Sequence, residues 1–378
     1  MSQKDKTMKI GVLGAGQLGR MLALAGLPLE MSFSFYDTSG APSVGLGDVI
    51  VDKGGSGSEL DKFLQQVDVV TYEFEHLPLE LTKTIEGKKP LHPSSESIRV
   101  CQNRTKEKAL FKELGIPTAE YRVVTSAKEL ENAAEELGCP VVAKSVTEGY
   151  DGKGQAVLRD SAEAETAWAS INHSSLIVES FVEFSRELSI IAARSTSGEV
   201  AFYPLAENSH HEGILRYSIA PAPKVSATIQ DQAQEYIKAL LNELNHVGIL
   251  TLELFETPNG LLANEMAPRV HNSGHWSIEG AASSQFENHL RAITGLPLGD
   301  TQANRPTCMI NIIAEKGDKE SILKLPYAHL HLYGKEERKG RKLGHVTVQA
   351  DSYEELAWRI KNVASFLPGS PEFTSELT

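Results

Sequence analysis

Glu253 and Glu265 stand twelve residues apart, each inside a run that alternates as a β-strand does. If those two strands pair antiparallel, the carboxylates converge on one point. Two hard oxygen donors suit Mg²⁺, which shares its other positions with substrate phosphates. Taken alone, the pair also reads as two solvated strand carboxylates. Lys144 closes another apolar run, and Gly149-Tyr150-Asp151-Gly152-Lys153-Gly154-Gln155 follows it. Backbone amides of such a loop, with lysines beside them, can neutralise phosphate oxygens; alone, the loop also reads as a plain hairpin. Between 269 and 275 the chain gathers Arg269, His271, Asn272, Ser273 and His275 within seven positions. That density points to a pocket for an anion or a polar substrate more than to a solvated loop.

A fourth grouping lies near the N-terminus. Gly14-Ala15-Gly16-Gln17-Leu18-Gly19 matches G-x-G-x-x-G, follows a strand and opens a helix, and Asp37 ends the next strand. That context fits a dinucleotide fingerprint, in which glycines let backbone amides approach an anion at a helix N-terminus. A ligand-free tight turn and a phosphate site for another ligand stay open beside it.

The elements that must position these groups can be read from periodicity. Residues 9–13 form a buried strand, 17–26 a helix, 32–36 a second strand, and 67–72 an apolar run leading into Glu73, Glu75 and His76. Strands alternating with helices predict βαβ units and a parallel sheet. Further on, helices are expected at 103–114, 129–137, 227–246, 278–294 and 353–366, with a glycine-rich hairpin or flap at 148–154. Strands are expected at 140–144, 249–255, 261–265, 308–313, 329–333 and 345–349, and the run 176–193 holds two more. The tail beyond Pro368 reads as frayed.

With 378 residues the chain is long enough for two or three domains. Its net charge of −13 argues against a nucleic-acid binder, which carries a basic excess. No apolar run approaches the roughly 18 residues of a membrane span, and the polar first residues lack the apolar core of a signal peptide. Cys101, Cys139 and Cys308 are scattered and odd in number, which argues against a disulfide framework and a cysteine metal site. A cytoplasmic protein is expected.

Taken together, Gly14-Ala15-Gly16-Gln17-Leu18-Gly19-Arg20, Tyr150-Asp151-Gly152-Lys153-Gly154, the segment 264–275 and Gly340-Arg341-Lys342-Leu343-Gly344-His345 resemble the ATP-grasp ligases. Within that superfamily they resemble most the N5-carboxyaminoimidazole ribonucleotide synthetases, over about residues 9–349. The run 267–275 is the specific part; the glycine turn alone is weak. The resemblance implies an α/β fold, α+β overall: a Rossmann-like domain at 1–100, an ATP-grasp domain at 101–300 holding ATP between two subdomains, and a small C-terminal β-rich lobe at 301–378. It implies that ATP, bicarbonate and 5-aminoimidazole ribonucleotide give the N5-carboxylated nucleotide, ADP and phosphate, through carboxyphosphate, in purine biosynthesis. It also implies Mg²⁺, a homodimer, and no nucleic-acid or membrane partner.

The residue roles follow from the same resemblance. Arg104 and Lys144 contact ATP; Gly149, Tyr150, Asp151, Gly152, Lys153, Gly154 and Gln155 form its flap; Glu179, Ser180, Phe181 and Val182 face adenine; Glu187 holds the ribose; His210 and Asn264 lie beside the nucleotide. Glu253 and Glu265 bind Mg²⁺. Gln17, Leu18, Glu75, Tyr150 and Asp151 touch the ribonucleotide, and Lys335, Arg341 and Lys342 hold its 5′-phosphate. Arg269, His271, Asn272 and Ser273 surround bicarbonate, with Asp151, Lys153 and Lys342 joining Arg269 and His271 as catalytic groups. Lys144, Arg269, Arg341 and Lys342 are expected to form a local positive funnel in an acidic protein. Two departures stand out: Lys153 replaces the arginine common in the flap, and Ala267 occupies the asparagine position of the Glu-x-Asn metal pattern, where Asn264 is expected to substitute. The competing readings are a formate-using glycinamide ribonucleotide transformylase and an NAD-binding oxidoreductase or nucleotide sensor.

Overall fold

The computed structural model describes residues 7–147 and 154–369. The flap residues Gly149, Tyr150, Asp151, Gly152 and Lys153 therefore lie outside the described residues. β1 (Lys9–Leu13) is apolar on both faces, as the centre of a parallel sheet must be. α1 (Gln17–Gly26), β2 (Ser32–Asp37), β3 (Asp48–Val51), α2 (Leu60–Gln66) and β4 (Val69–Tyr72) complete a parallel sheet of order β3-β2-β1-β4. α3 (Leu79–Glu86) and α4 (Ser95–Cys101) follow, and Ile98 of α4 packs into this first core beside Phe63 and Tyr72. This is the expected Rossmann-like unit.

α5 (Arg104–Glu113) starts at Asn103, whose side chain accepts from the Lys106 amide at 3.0 Å. It leads to β5 (Tyr121–Val124), α6 (Ala127–Leu137), β6 (Val141–Ser145), β7 (Gln155–Leu158), α7 (Ala164–Ile171) and β8 (Leu176–Ser180). The four strands form an antiparallel sheet of order β5-β8-β6-β7. Along β6 the residues alternate: Val141 and Ala143 pack on Leu130 and Ala134 of α6, while Val142 and Lys144 face a cleft.

The rest of the chain builds one antiparallel sheet. Its strands are β9 (Arg186–Arg194), β10 (Val200–Phe202), β11 (Ala206–His211), β12 (Ile214–Ala220), β13 (Gly248–Thr257), β14 (Gly260–Ala267), β15 (Thr307–Ile313), β16 (Ala328–Leu332) and β17 (Lys342–Gln349). The order is β14-β13-β9-β11-β12-β15-β17-β16, with β10 on β9. Because β12 pairs with β15 from Tyr217↔Ile310 to Ala220↔Thr307, the strands beyond residue 300 continue the sheet of the middle segment. The helices on this sheet are α8 (Ala227–Glu243), α9 (Ser277–Gly280), α10 (Gln285–Thr294), α11 (Lys319–Leu323) and α12 (Tyr353–Ala364). The single helix expected at 278–294 is broken: Ser284 caps α10 by accepting from the Glu287 amide at 3.1 Å, and Ala281 bridges to Ala303. Local serine–backbone bonding outweighs the helical period there. Among the described residues no helix is long and apolar enough to cross a membrane.

Candidate active site

A cleft of about 850 Å³ opens where the three sheets meet. Leu18 reaches it from the first unit, Lys144 and Glu179 from the second sheet, Glu253, Glu265 and Lys342 from the third. The β13–β14 hairpin explains how its two glutamates meet. The register slips between Leu252↔Met266 and Leu254↔Ala263, which sets Glu253 opposite the Asn264–Glu265 pair. Burial and the facing Glu265 push the Glu253 carboxyl above its ordinary range, with His210 opposing. Two acidic groups crowded in this way fit a divalent cation. Among the described residues no group of three or more His, Cys, Asp or Glu donors is assembled, and Mg²⁺ at a carboxylate pair shares its remaining positions with phosphate oxygens and water.

Cations face these carboxylates. The Arg104 guanidinium lies 3.7 Å from Glu265 and donates to the Ser145 carbonyl at 3.2 Å. Glu179 holds two ammonium groups, Lys144 at 2.5 Å and Lys108 at 2.9 Å. Burial alone would raise the Glu179 carboxyl; the two lysines outweigh it and hold it at about 2. Glu179, Ser180, Phe181 and Val182 all line the cleft, but the Ser180 and Phe181 amides are already bonded to the Glu120 and Pro140 carbonyls. Gln155, the cross-strand partner of Lys144, also lines the cleft, and Gly154 accepts from the Ser145 amide at 2.8 Å. Glu187 pairs with His210 at 2.9 Å. Burial disfavours the His210 imidazolium, yet Glu187 and Glu253 hold it above its usual range.

The 269–275 segment is a network rather than a set of free side chains. Arg269 grips Glu75 bidentately, Nη2 to Oε1 at 2.9 Å and Nε to Oε2. Glu75 also lines the cleft, where the resemblance implies a contact with the ribonucleotide. The Ser273 amide donates to His271 Nδ1 at 3.3 Å, and the Ser273 hydroxyl lies 2.9 Å from the same nitrogen. With Nδ1 accepting, the ring proton sits on Nε2, 3.2 Å from Glu253. Burial and the Arg269 charge lower the His271 imidazole to about 3, so it is neutral. Ser273 is wholly buried, accepts from the Ser189 hydroxyl at 2.8 Å, and orients His271 instead of lining the cleft. Asn272 lines the cleft while exchanging two amide hydrogen bonds with Asn311, at 3.0 and 2.7 Å.

At the far end, Lys335 donates to Gln17 at 2.6 Å, tying the third sheet to the glycine turn. Lys342 lines the cleft, whereas Arg341 does not and lies 3.4 Å from the Glu336 carbonyl. The glycine turn itself carries a correction. Its amides are already satisfied: Gly16 N–H and Gly19 N–H donate to the two oxygens of Glu73, at 2.5 and 2.7 Å. Asp37, the expected ribose ligand of a dinucleotide site, accepts from Ser39 and the Gly40 amide, each at 2.8 Å. An internal carboxylate occupies the anion position, so the dinucleotide reading falls.

Sequence reading missed Glu73, Glu107 and Lys108. Glu73 directly follows β4, at the carboxyl end of a parallel strand, where ligand-facing residues gather. Glu107 and Lys108 sit on the same buried helical stripe as Phe111, a charged pair at core spacing. Glu107 accepts from the Met266 amide at 2.6 Å, and burial with the nearby Glu265 charge pushes it up to about 8.

The family described as ribonucleotide synthetase preATP-grasp domain matches residues 7–102, the ATP-grasp domain 109–286, and the phosphoribosylaminoimidazole carboxylase C-terminal domain 307–359. The N5-carboxyaminoimidazole ribonucleotide synthase of Pseudomonas aeruginosa is 45% identical over 361 residues, 95% of this chain and 99% of that protein. The crystal structure of the Thermus thermophilus synthetase superposes with a TM-score of 0.91 at 45% identity, covering 96% of this chain and 99% of that one. The Aspergillus clavatus synthase, in complex with ADP and 5-aminoimidazole ribonucleotide, has a TM-score of 0.88 at 31% identity, covering 95% and 98%.

Proposed function

The chain belongs to the N5-carboxyaminoimidazole ribonucleotide synthase family of ATP-grasp ligases, and we propose that its cleft divides the family's reaction among the residues described above. It is an ATP-dependent ligase that carboxylates 5-aminoimidazole ribonucleotide in purine biosynthesis. The carboxyl group comes from bicarbonate. The observation that carries this reading is one cleft holding the Glu253/Glu265 pair, the Lys144–Glu179–Lys108 cluster and the Arg269–His271 network together.

ATP lies along the second sheet, its adenine at Glu179 to Val182, its ribose at Glu187, His210 beside the nucleotide, and its phosphates at Arg104, Lys144 and Gln155, with the flap residues 149–154 assigned to the phosphates by the family resemblance. Glu253 and Glu265, with Asn264 adjacent, would hold Mg²⁺, and the bound cation would supply charge stabilisation for the phosphates. Arg269, held by Glu75 and with Nη1 also donating to the Val270 carbonyl at 3.2 Å, offers its remaining N–H donors to bicarbonate. Neutral His271 stands beside it as a fixed polar group. Lys342 in the cleft receives the 5′-phosphate of the ribonucleotide next to Gln17 and Leu18; Lys335 and Arg341 lie outside the cleft lining, and Lys335 joins the phosphate site from its bond to Gln17. Asp151 and Lys153 act from the flap. The chain works as a homodimer in the cytoplasm.

The test is ADP release from Mg-ATP, with and without 5-aminoimidazole ribonucleotide, in bicarbonate-supplemented and CO₂-depleted buffer. ADP formation that needs both additions supports the assignment. Release indifferent to both overturns it. Light scattering decides the dimer.

A further inference from the structure

Lys108 is a deeply buried charged side chain bordering the ATP side of the cleft, with 2% of its side chain exposed. Its ammonium lies 2.9 Å from Glu179 Oε1, 2.9 Å from the Asn264 carbonyl and 3.4 Å from the Ala263 carbonyl. An ammonium has three donors. Two of them go to backbone carbonyls and the ammonium is ion-paired with Glu179, so its contacts are internal to the protein. We propose that Lys108 is a positioning residue for ATP, offsetting the Glu179 charge so that Lys144 keeps its own charge for the triphosphate. This rests on the assignment of Lys144 to the phosphates.

Lys108 and Lys144 share one carboxylate, so the cluster is one positive charge in excess. Of the two lysines, Lys144 is the more open, at 14% exposure against 2%. The excess charge therefore faces the cleft. Without Lys108, Glu179 would have Lys144 as its sole ionic partner at 2.5 Å, and the pair would be neutral toward the phosphates. The same helix turn also grips the metal-bearing strand on both sides of Glu265: Lys108 takes the carbonyls of residues 263 and 264, and Glu107 takes the amide of Met266. One buried Glu-Lys pair on α5 thus fixes both the lysine that meets the phosphates and the backbone that carries Glu265.

The experiment is calorimetric titration of Mg-ATP into wild type, K108M, K144M, E179Q and K108M/E179Q, with KM for 5-aminoimidazole ribonucleotide measured alongside. K108M should bind Mg-ATP about tenfold more weakly, and adding E179Q should recover most of that loss, because the charge to be offset is gone. The KM for the ribonucleotide should shift less than about twofold. A purely structural role predicts no recovery, since the double variant removes two buried partners instead of one. Wild-type affinity in K108M, or a double variant binding no better than K108M, overturns the proposal. Should K108M fail to fold, E179Q and the double variant decide. With Glu179 neutral, removing Lys108 should change affinity less than about threefold, and a tenfold loss overturns the proposal. Wild-type affinity in K144M would overturn the Lys144 assignment and this proposal with it. A weak K144M beside a normal K108M overturns the proposal alone.

Discussion

His289 of α10 joins the first unit to the third sheet, and its replacement by asparagine should cost about 2 kcal/mol less at pH 5 than at pH 8. The ring's Nδ1 accepts from the Ile249 amide at 3.1 Å, so the proton sits on Nε2 and is donated to the Thr71 hydroxyl at 2.8 Å. A second proton would have to enter at Nδ1, against an N–H donor and away from water. Burial accordingly lowers the imidazole to about 3. In the unfolded chain it returns to about 6.5. The folded pKa is depressed, so this stability is complete above about 6.5 and is lost as the pH falls toward 3. At pH 5 the unfolded chain gains RT ln(1 + 10^1.5), about 2 kcal/mol, which the folded protein does not share. At pH 8 the same expression is below about 0.1 kcal/mol. H289N has no such group, so whatever it loses in packing and in the Thr71 bond is common to both pH values and cancels. His246, also buried and lowered to about 4, is present in both proteins and cancels as well. Urea unfolding followed by fluorescence of buried Trp276 gives the two differences. A difference between wild type and H289N that is the same at pH 5 and pH 8, within about 0.5 kcal/mol, would refute the neutral buried histidine.

Three further outcomes are expected. R269K keeps the charge but cannot grip Glu75 at two points, so kcat/KM for the ribonucleotide should fall roughly 10- to 100-fold in a steady-state assay; an unchanged value would show that the bidentate contact is idle. E265Q should raise the Mg²⁺ concentration for half-maximal ADP release by about tenfold or more, and an unmoved midpoint would remove Glu265 from the metal site. Gly14 has φ +104° and a Cβ there would lie 2.5 Å from Glu73 Cγ, so G14A should lose about 1–3 kcal/mol, read as a lower Tm.

Residues near in sequence carried much of the fold. The alternation of 249–255 and 261–265, closed by a turn at Gly260, specifies the hairpin that brings Glu253 to Glu265. The glycine spacing at 14–19 specifies a turn with free amides at a helix start. The density of polar groups at 269–275 marked a pocket, and the quoted motifs were specific enough to indicate the family. These signals are short-range: a period of two, a period of 3.6, a positive φ, each set within a few residues. What meets those groups is different. Glu73 reaches the Gly16 amide across 57 residues because β4 pairs with β1, Glu75 reaches Arg269 across 194, and Lys108 reaches Asn264 across 156. A backbone amide accepts any anion, and a buried carboxylate any cation. Local sequence therefore determined where charge could be bound, while only the tertiary packing decided which charges were bound internally and which were left for substrates. Ser273 became a buried orienting group and Arg341 fell outside the cleft for the same reason: burial and pairing depend on which distant strand arrives beside a residue.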